Sequence, residues 1–122
     1  MAKTVMIVDD APVIRLMLRD IIEYNGFTVV AECDNGVQAV EKYKELKPDL
    51  VTMDITMPEK DGIAALKEII ALDKTARVVM VTAVDERESL IRAIRSGAAD
   101  YIVKPFEEER VLSAVKTALG QA

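Results

Sequence analysis

The sequence predicts an α/β protein with a parallel sheet covered by helices on both faces. Three observations carry that prediction. Five short apolar runs with a β-branched bias recur along 122 residues, and each is followed by a stretch of helical periodicity. The connections between them are short and rich in Pro, Gly, Asn and Asp. Strands alternating with helices over short connections require parallel pairing and right-handed crossovers, which gives a doubly wound sheet. No repeat, linker or low-complexity segment divides the chain, so residues 1–122 read as one domain.

Lys3 to Val8 forms the first strand. Asp9-Asp10-Ala11-Pro12 follows, and proline suits the first turn of a helix, where its missing N–H costs nothing. Ile14, Met17, Leu18, Ile21 and Ile22 then recur at helical spacing, with Arg15, Arg19, Asp20 and Glu23 opposite. Asn25-Gly26 predicts a left-handed cap. Thr28 to Cys33 is a second strand and Asp34-Asn35-Gly36 a turn. A second helix carries Val37, Val40, Tyr43, Lys44 and Leu46 and stops before Pro48.

The third strand, Leu50 to Asp54, ends on a carboxylate, and Pro58 forces the chain out of the sheet. Pro58 to Gly62 is a loop, and Ile63 to Leu72 a helix with Leu66, Ile69 and Ile70 inward. Arg77 to Thr82 is the fourth strand. Glu86 to Ser96 is the fourth helix, with Leu90, Ile91 and Ile94 periodic, and Gly97 ends it. Asp100 to Val103 is the last strand. The last helix runs from Glu107 to Leu119, with Val111, Leu112, Val115 and Leu119 on one face. Glu107, Glu108 and Glu109 suit its positive N-terminus.

Composition narrows the function. Half the residues are hydrophobic (51%) and 30% are charged, which fits a folded domain. A net charge of −5 argues against direct nucleic-acid binding, which needs a basic patch. No apolar run approaches the roughly 20 residues of a membrane span, and no signal peptide opens the chain. The single Cys33 reads as a small core residue in a cytoplasmic protein, and the six methionines as core filler. Histidine is absent, so imidazole serves neither as base nor as metal ligand. Any ion held here is a hard, oxygen-loving one such as Mg²⁺.

Asp54 lies where open α/β sheets place their ligand crevices, at the carboxyl end of a strand. Asp9 and Asp10 end the first apolar run, Thr82 the fourth, and Lys104 follows the last. In one parallel sheet these side chains gather at one edge. Three carboxylates, a hydroxyl and an ammonium suggest a Mg²⁺ and phosphate site. Taken singly, each residue has a plainer reading. Asp9 and Asp10 could cap the first helix, Thr82 could be an ordinary strand residue, and Lys104 a surface lysine before a turn.

The acidic pair Asp9-Asp10, Asp54, Thr82 and Lys104-Pro105, in that element order, resemble the receiver domain of two-component response regulators. The resemblance covers Lys3 to Leu119 and is of the free-standing, chemotaxis type. It implies a flavodoxin-like (βα)5 fold with strand order 2-1-3-4-5, and a phosphoacceptor switch rather than a conventional enzyme. By that resemblance Asp54 accepts the phosphoryl group from a sensor histidine kinase or histidine phosphotransferase. Asp10, Asp54 and the Thr56 main-chain carbonyl ligate Mg²⁺, and Asp9 holds it through water. Lys104 and Thr82 bind phosphoryl oxygens, Ala83 leaves them room, and the Lys104–Pro105 bond is cis. Thr82 and Tyr101 form the switch, which changes the face made by the fourth helix, last strand and last helix toward a downstream protein target. Val13, Ile14, Met17, Pro105 and Phe106 are candidates for kinase docking, Ile14 and Met17 equally for core packing. Thr56 and Val84 occupy positions that tune phosphoryl lifetime, and an apolar Val84 predicts slow self-dephosphorylation.

Other readings fit the same residues. A phosphorelay intermediate, or the receiver half of a DNA-binding regulator, would carry the same residues; the absence of a linker leans toward a free-standing unit. A monomer and a phosphorylation-dependent dimer are both compatible, with Arg92, Arg95, Asp100, Lys104 and Glu109 supplying charges. An aspartyl-phosphate hydrolase of the haloacid dehalogenase type needs a second acid two residues after the first, where this chain has Thr56.

Overall fold

The computed structural model describes residues 2–121. Five strands and five helices alternate: β1 (Thr4–Val8), α1 (Pro12–Tyr24), β2 (Thr28–Cys33), α2 (Gly36–Leu46), β3 (Leu50–Asp54), α3 (Gly62–Leu72), β4 (Val78–Ala83), α4 (Arg87–Arg95), β5 (Asp100–Lys104) and α5 (Glu108–Ala118). All strand pairs are parallel, in the order β2-β1-β3-β4-β5. That is the expected flavodoxin-like topology. Element ends fall within one or two residues of those expected, as with β4, which starts at Val78 and reaches Ala83.

Strand alternation builds two cores. Met6, Val8, Val51, Met53, Val78 and Met80 point one way, into a cluster closed by Tyr43, Leu66 and Ile69. Val5, Ile7, Leu50, Val79, Val81 and Ile102 point the other way, against Leu18, Ile22, Val111 and Val115. Central strands covered on both sides read as continuous apolar runs, which is why β1, β3 and β4 were conspicuous in the sequence.

Local chemistry sets the helix ends. Pro12 occupies the first turn of α1. Gly26 adopts φ 91°, with its N–H on the Glu23 carbonyl and that of Phe27 on the Ile22 carbonyl, a Schellman close that only a residue free of Cβ strain accepts readily. Asn35 caps α2 by accepting the Gln38 N–H at 2.8 Å, and Asp61 caps α3 by accepting that of Ala64 at 2.8 Å. Among the described residues no helix is long and apolar enough to cross a membrane.

Some of the apolar periodicity lies outside the core. Met17 in α1 is 43% exposed, and Ile91 and Ile94 in α4 are 41% and 42% exposed. In α2, Val37 and Leu46 are exposed while Ala39 takes the inward position. Periodicity identifies a face; a packing partner decides whether that face is buried.

Candidate phosphoacceptor site

The alternation that builds the cores also sorts the site residues. Asp54 and Lys104 continue the sheet face of Leu50 and Ile102, on which Leu18 and Val111 pack. Asp9, just beyond β1, follows in step with Val5 and Ile7. Thr82 continues the opposite face, with Val78 and Met80. Tyr101 pairs in register with Met80, so it stands on Thr82's face, one step away along the neighbouring strand.

The acids converge as expected. Asp9, Asp10 and Asp54 each present a carboxylate oxygen within 4.8 Å of the others'. Asp9 is fully buried, Asp54 is 5% exposed and Asp10 is exposed. Lys104 Nζ lies 3.1 Å from Asp9 Oδ2 and 3.3 Å from Asp54 Oδ1, so Lys104 is no idle surface lysine. The helix-capping alternative for the acidic pair falls: Ala11 holds the N-cap position of α1, and no side chain caps it. Asp9 Oδ1 instead accepts the Ala11 N–H at 2.9 Å.

Electrostatics follow from burial and crowding. Burial, and next to it the charge of Asp9, push the Asp54 carboxyl up to about 7 against the pull of Lys104. Burial would lower the Lys104 ammonium, but Asp54 and Asp9 together raise it above its ordinary value. One cation thus faces three carboxylates. Asp9 Oδ2 is buried, has the Lys104 ammonium as its cationic neighbour and accepts no hydrogen bond. A buried carboxylate oxygen left in that state fits a site built for a further hard cation, and an all-oxygen donor set fits Mg²⁺.

Thr82 is buried. Its hydroxyl is shared between the Ala83 carbonyl at 3.1 Å and Glu86 Oε1 at 3.4 Å. Ala83 is half-buried, and Val84 is 76% exposed. The Lys104–Pro105 bond is cis. Tyr101 is 39% exposed and turned outward, with the Arg110 guanidinium 5.2 Å from its ring centre. Among the candidate docking residues, Val13 (62% exposed), Met17 and Pro105 lie open, whereas Ile14 and Phe106 are part-buried against the core, which for Ile14 is the packing alternative. Leu16, 57% exposed, joins the open group unforeseen. Cys33 is buried, and burial pushes its thiol up to about 11, as a core residue requires.

Glu86 joins these residues with no motif to mark it. Its Oε2 accepts the Thr56 hydroxyl at 2.5 Å and its Oε1 the Ala83 N–H at 2.8 Å. Burial would raise this carboxyl, but hydrogen bonds from Thr56, the Ala83 N–H and Thr82 outweigh it and hold the group below the usual range. An acid four residues past a strand threonine carries no motif, so no local signal could have found it.

Known proteins place this arrangement. The response regulator receiver domain family matches residues 5–116. The chemotaxis protein CheY of Bacillus subtilis is 58% identical over 98% of this chain and 100% of its own length. That of Thermotoga maritima is 54% identical over 94% of this chain and 96% of its own. Among solved structures, the response regulator domain of Thermotoga maritima CheB superposes with a TM-score of 0.90 at 36% identity, covering 100% of this chain and 99% of that one. The CheX–CheY–BeF3–Mg complex of Borrelia burgdorferi superposes at 0.90 with 38% identity, over 94% of this chain and 87% of that one. This molecule sets a buried aspartate at the end of β3 beside two more acids and a lysine, and the chain belongs to the response regulator receiver domain family.

Proposed function

We propose that Asp54 takes a phosphoryl group from the phosphohistidine of a sensor histidine kinase or a histidine phosphotransferase. The observation that carries this reading is the convergence of Asp9, Asp10, Asp54 and Lys104 on one edge. A carboxylate oxygen of Asp54 bonds to phosphorus as the P–N bond to imidazole breaks, and the imidazole leaves with that electron pair. Lys104, already on Asp54 Oδ1, pairs with a phosphoryl oxygen, and the Thr82 hydroxyl donates to another. Asp10, Asp54 and the main-chain carbonyl of Thr56 would hold Mg²⁺, with Asp9 acting through water; a bound ion offsets charge where one anion approaches another. The Mg²⁺ in the Borrelia CheY complex supports that assignment.

Thr82, drawn toward the phosphoryl group, vacates space that Tyr101 fills from its place beside it on the same face. The α4–β5–α5 surface then changes and engages a downstream target. The CheY relatives support a chemotaxis-type output, for which the cytoplasm is the proposed setting, and the CheX partner of the Borrelia protein supports recognition by another protein. Val13, Met17 and Pro105, open near the site, form the kinase-docking surface. Residues 1–122 act as one domain.

The test is intact mass after incubation with acetyl phosphate, with and without Mg²⁺, beside Asp54→Ala. A Mg²⁺-dependent gain of one phosphoryl group, absent in the variant, supports the reading. An equal gain in the variant, or none in either protein, overturns it.

A further inference from the structure

Glu86 ties together two loops that meet above the site. One follows β3 and presents Thr56; the other leaves β4 at its last residue, Ala83, and carries Glu86 itself. The short bonds from the Thr56 hydroxyl (2.5 Å) and the Ala83 N–H (2.8 Å) are charge-assisted, the stronger kind. The Thr82 hydroxyl lies within reach at 3.4 Å. The backbone of Glu86 is fixed as well. Its N–H donates to the Ala83 carbonyl at 3.1 Å, and its carbonyl accepts the Leu90 N–H at 2.9 Å, so the carboxylate is presented from a rigid turn.

The groups it holds are donors at the end of β4. Ala83 is the register partner of Lys104, whose ammonium reaches Asp54, and Thr82 stands one residue before it. An anionic oxygen on Asp54 needs donors at this edge, and an anionic carboxylate already occupies them. Two acceptors cannot share one N–H at full strength.

We propose that Glu86 is a latch that ties Thr82 and Ala83 to Thr56 in the unphosphorylated arrangement and must release them before they turn to a phosphoryl group on Asp54. It is a positioning residue, acting through Thr82 and Ala83. The proposal rests on the receiver reading of Asp54. A molecule latched most of the time binds a phosphoryl mimic more weakly, in proportion to the fraction unlatched.

The test is titration of the whole chain with beryllofluoride in Mg²⁺ buffer, using wild type, Glu86→Ala and Asp85→Asn. Asp85 is exposed and serves to control for the loss of one negative charge. Glu86→Ala is expected to bind about five-fold more tightly, the worth of one net hydrogen bond, while Asp85→Asn matches wild type. The Ala83 amide proton resonance should differ between wild type and Glu86→Ala without ligand and coincide once beryllofluoride is bound. Glu86→Gln, which keeps an acceptor without the charge, should fall between them and stands in if the alanine variant does not fold. Unchanged or weaker binding by the Glu86 variants, or equal tightening by Asp85→Asn, overturns the latch alone. Failure of every protein, wild type included, to bind overturns the receiver reading and the latch with it.

Discussion

A methyl group on Gly62 would lie 1.9 Å from the carbonyl oxygen of Asp54. The Gly62 N–H donates to the Ile55 carbonyl at 2.7 Å, so the first residue of α3 is seated on the backbone that carries the proposed phosphoacceptor. Because the obstructing atom belongs to the main chain, no rotamer change relieves the clash. Gly62→Ala is therefore expected to cost about 2 kcal/mol or more and to depress phosphorylation beyond what the loss of folded protein explains. Gly26→Ala is the comparison. That residue has φ 91° with open space around it, so the change should cost about 1 kcal/mol of backbone strain and leave phosphorylation by acetyl phosphate intact. Thermal unfolding and initial phosphorylation rates decide; equal rates per folded molecule in both variants would refute the coupling.

Lys104→Met removes the one ammonium that Asp9 and Asp54 share. The buried carboxylates then repel without compensation, so the metal-free variant should unfold at lower temperature. Mg²⁺ binding should tighten, because the ion no longer competes with a resident charge, while phosphoryl transfer falls at least about ten-fold, the worth of one well-placed electrostatic donor. Mg²⁺ titration by calorimetry beside acetyl phosphate kinetics separates the two effects. A variant weaker in both would contradict this picture of competing cations.

The Asp54 carboxyl, raised to about 7 by burial and by Asp9, gives a pH dependence of unusual sign. The metal-free fold holds this proton more tightly than the unfolded chain does. Its contribution to stability is therefore complete below the ordinary aspartate value of about 4 and is lost as pH rises through about 7. Asp54→Asn abolishes that loss. In EDTA, the variant should gain on wild type from pH 5 to pH 8, and saturating Mg²⁺ should close the gap by favouring the ionised carboxylate. Parallel melting curves across that range would count against the assignment.

Arg110 holds Tyr101 outward from three directions. It stacks 5.2 Å from the ring centre, pairs with Asp100 at 3.0 Å and donates to the Tyr101 carbonyl. These contacts are part-exposed, so Arg110→Ala should cost about 1 kcal/mol. The ring, no longer stacked, should shift its resonances part of the way toward the positions it takes with beryllofluoride bound. Ring resonances identical to those of wild type would show that Arg110 does not restrain the aromatic.

The fold was legible because its signals are local. Pro12, Asn25-Gly26, Asn35 and Pro58 mark boundaries through backbone chemistry that acts within a few residues, and the apolar runs mark strands covered on both sides. The acids, Thr82 and Lys104 were legible because each ends a strand, and parallel strands must bring such ends together. Met17, Ile91 and Ile94 were less so, since their periodicity promises a partner that the described residues do not supply. Ile14, readable equally as docking or core, is part-buried against core neighbours, as is Phe106. Glu86 was illegible for a stronger reason: its meaning lies in the meeting of two loops, which brings Thr56 to Glu86 itself, 30 residues away in the chain.

The division of residues between the two faces of the sheet has a wider consequence. β4 and β5 contribute Thr82 and Lys104 to opposite sides of a layer one backbone thick. Lys104 lies on the face covered by α1 and α5, and Thr82 on the face covered by α4. A phosphoryl group gripped from both sides of that layer would tie the helices of one face to those of the other, so substitutions beneath either face are expected to alter acceptor and surface together.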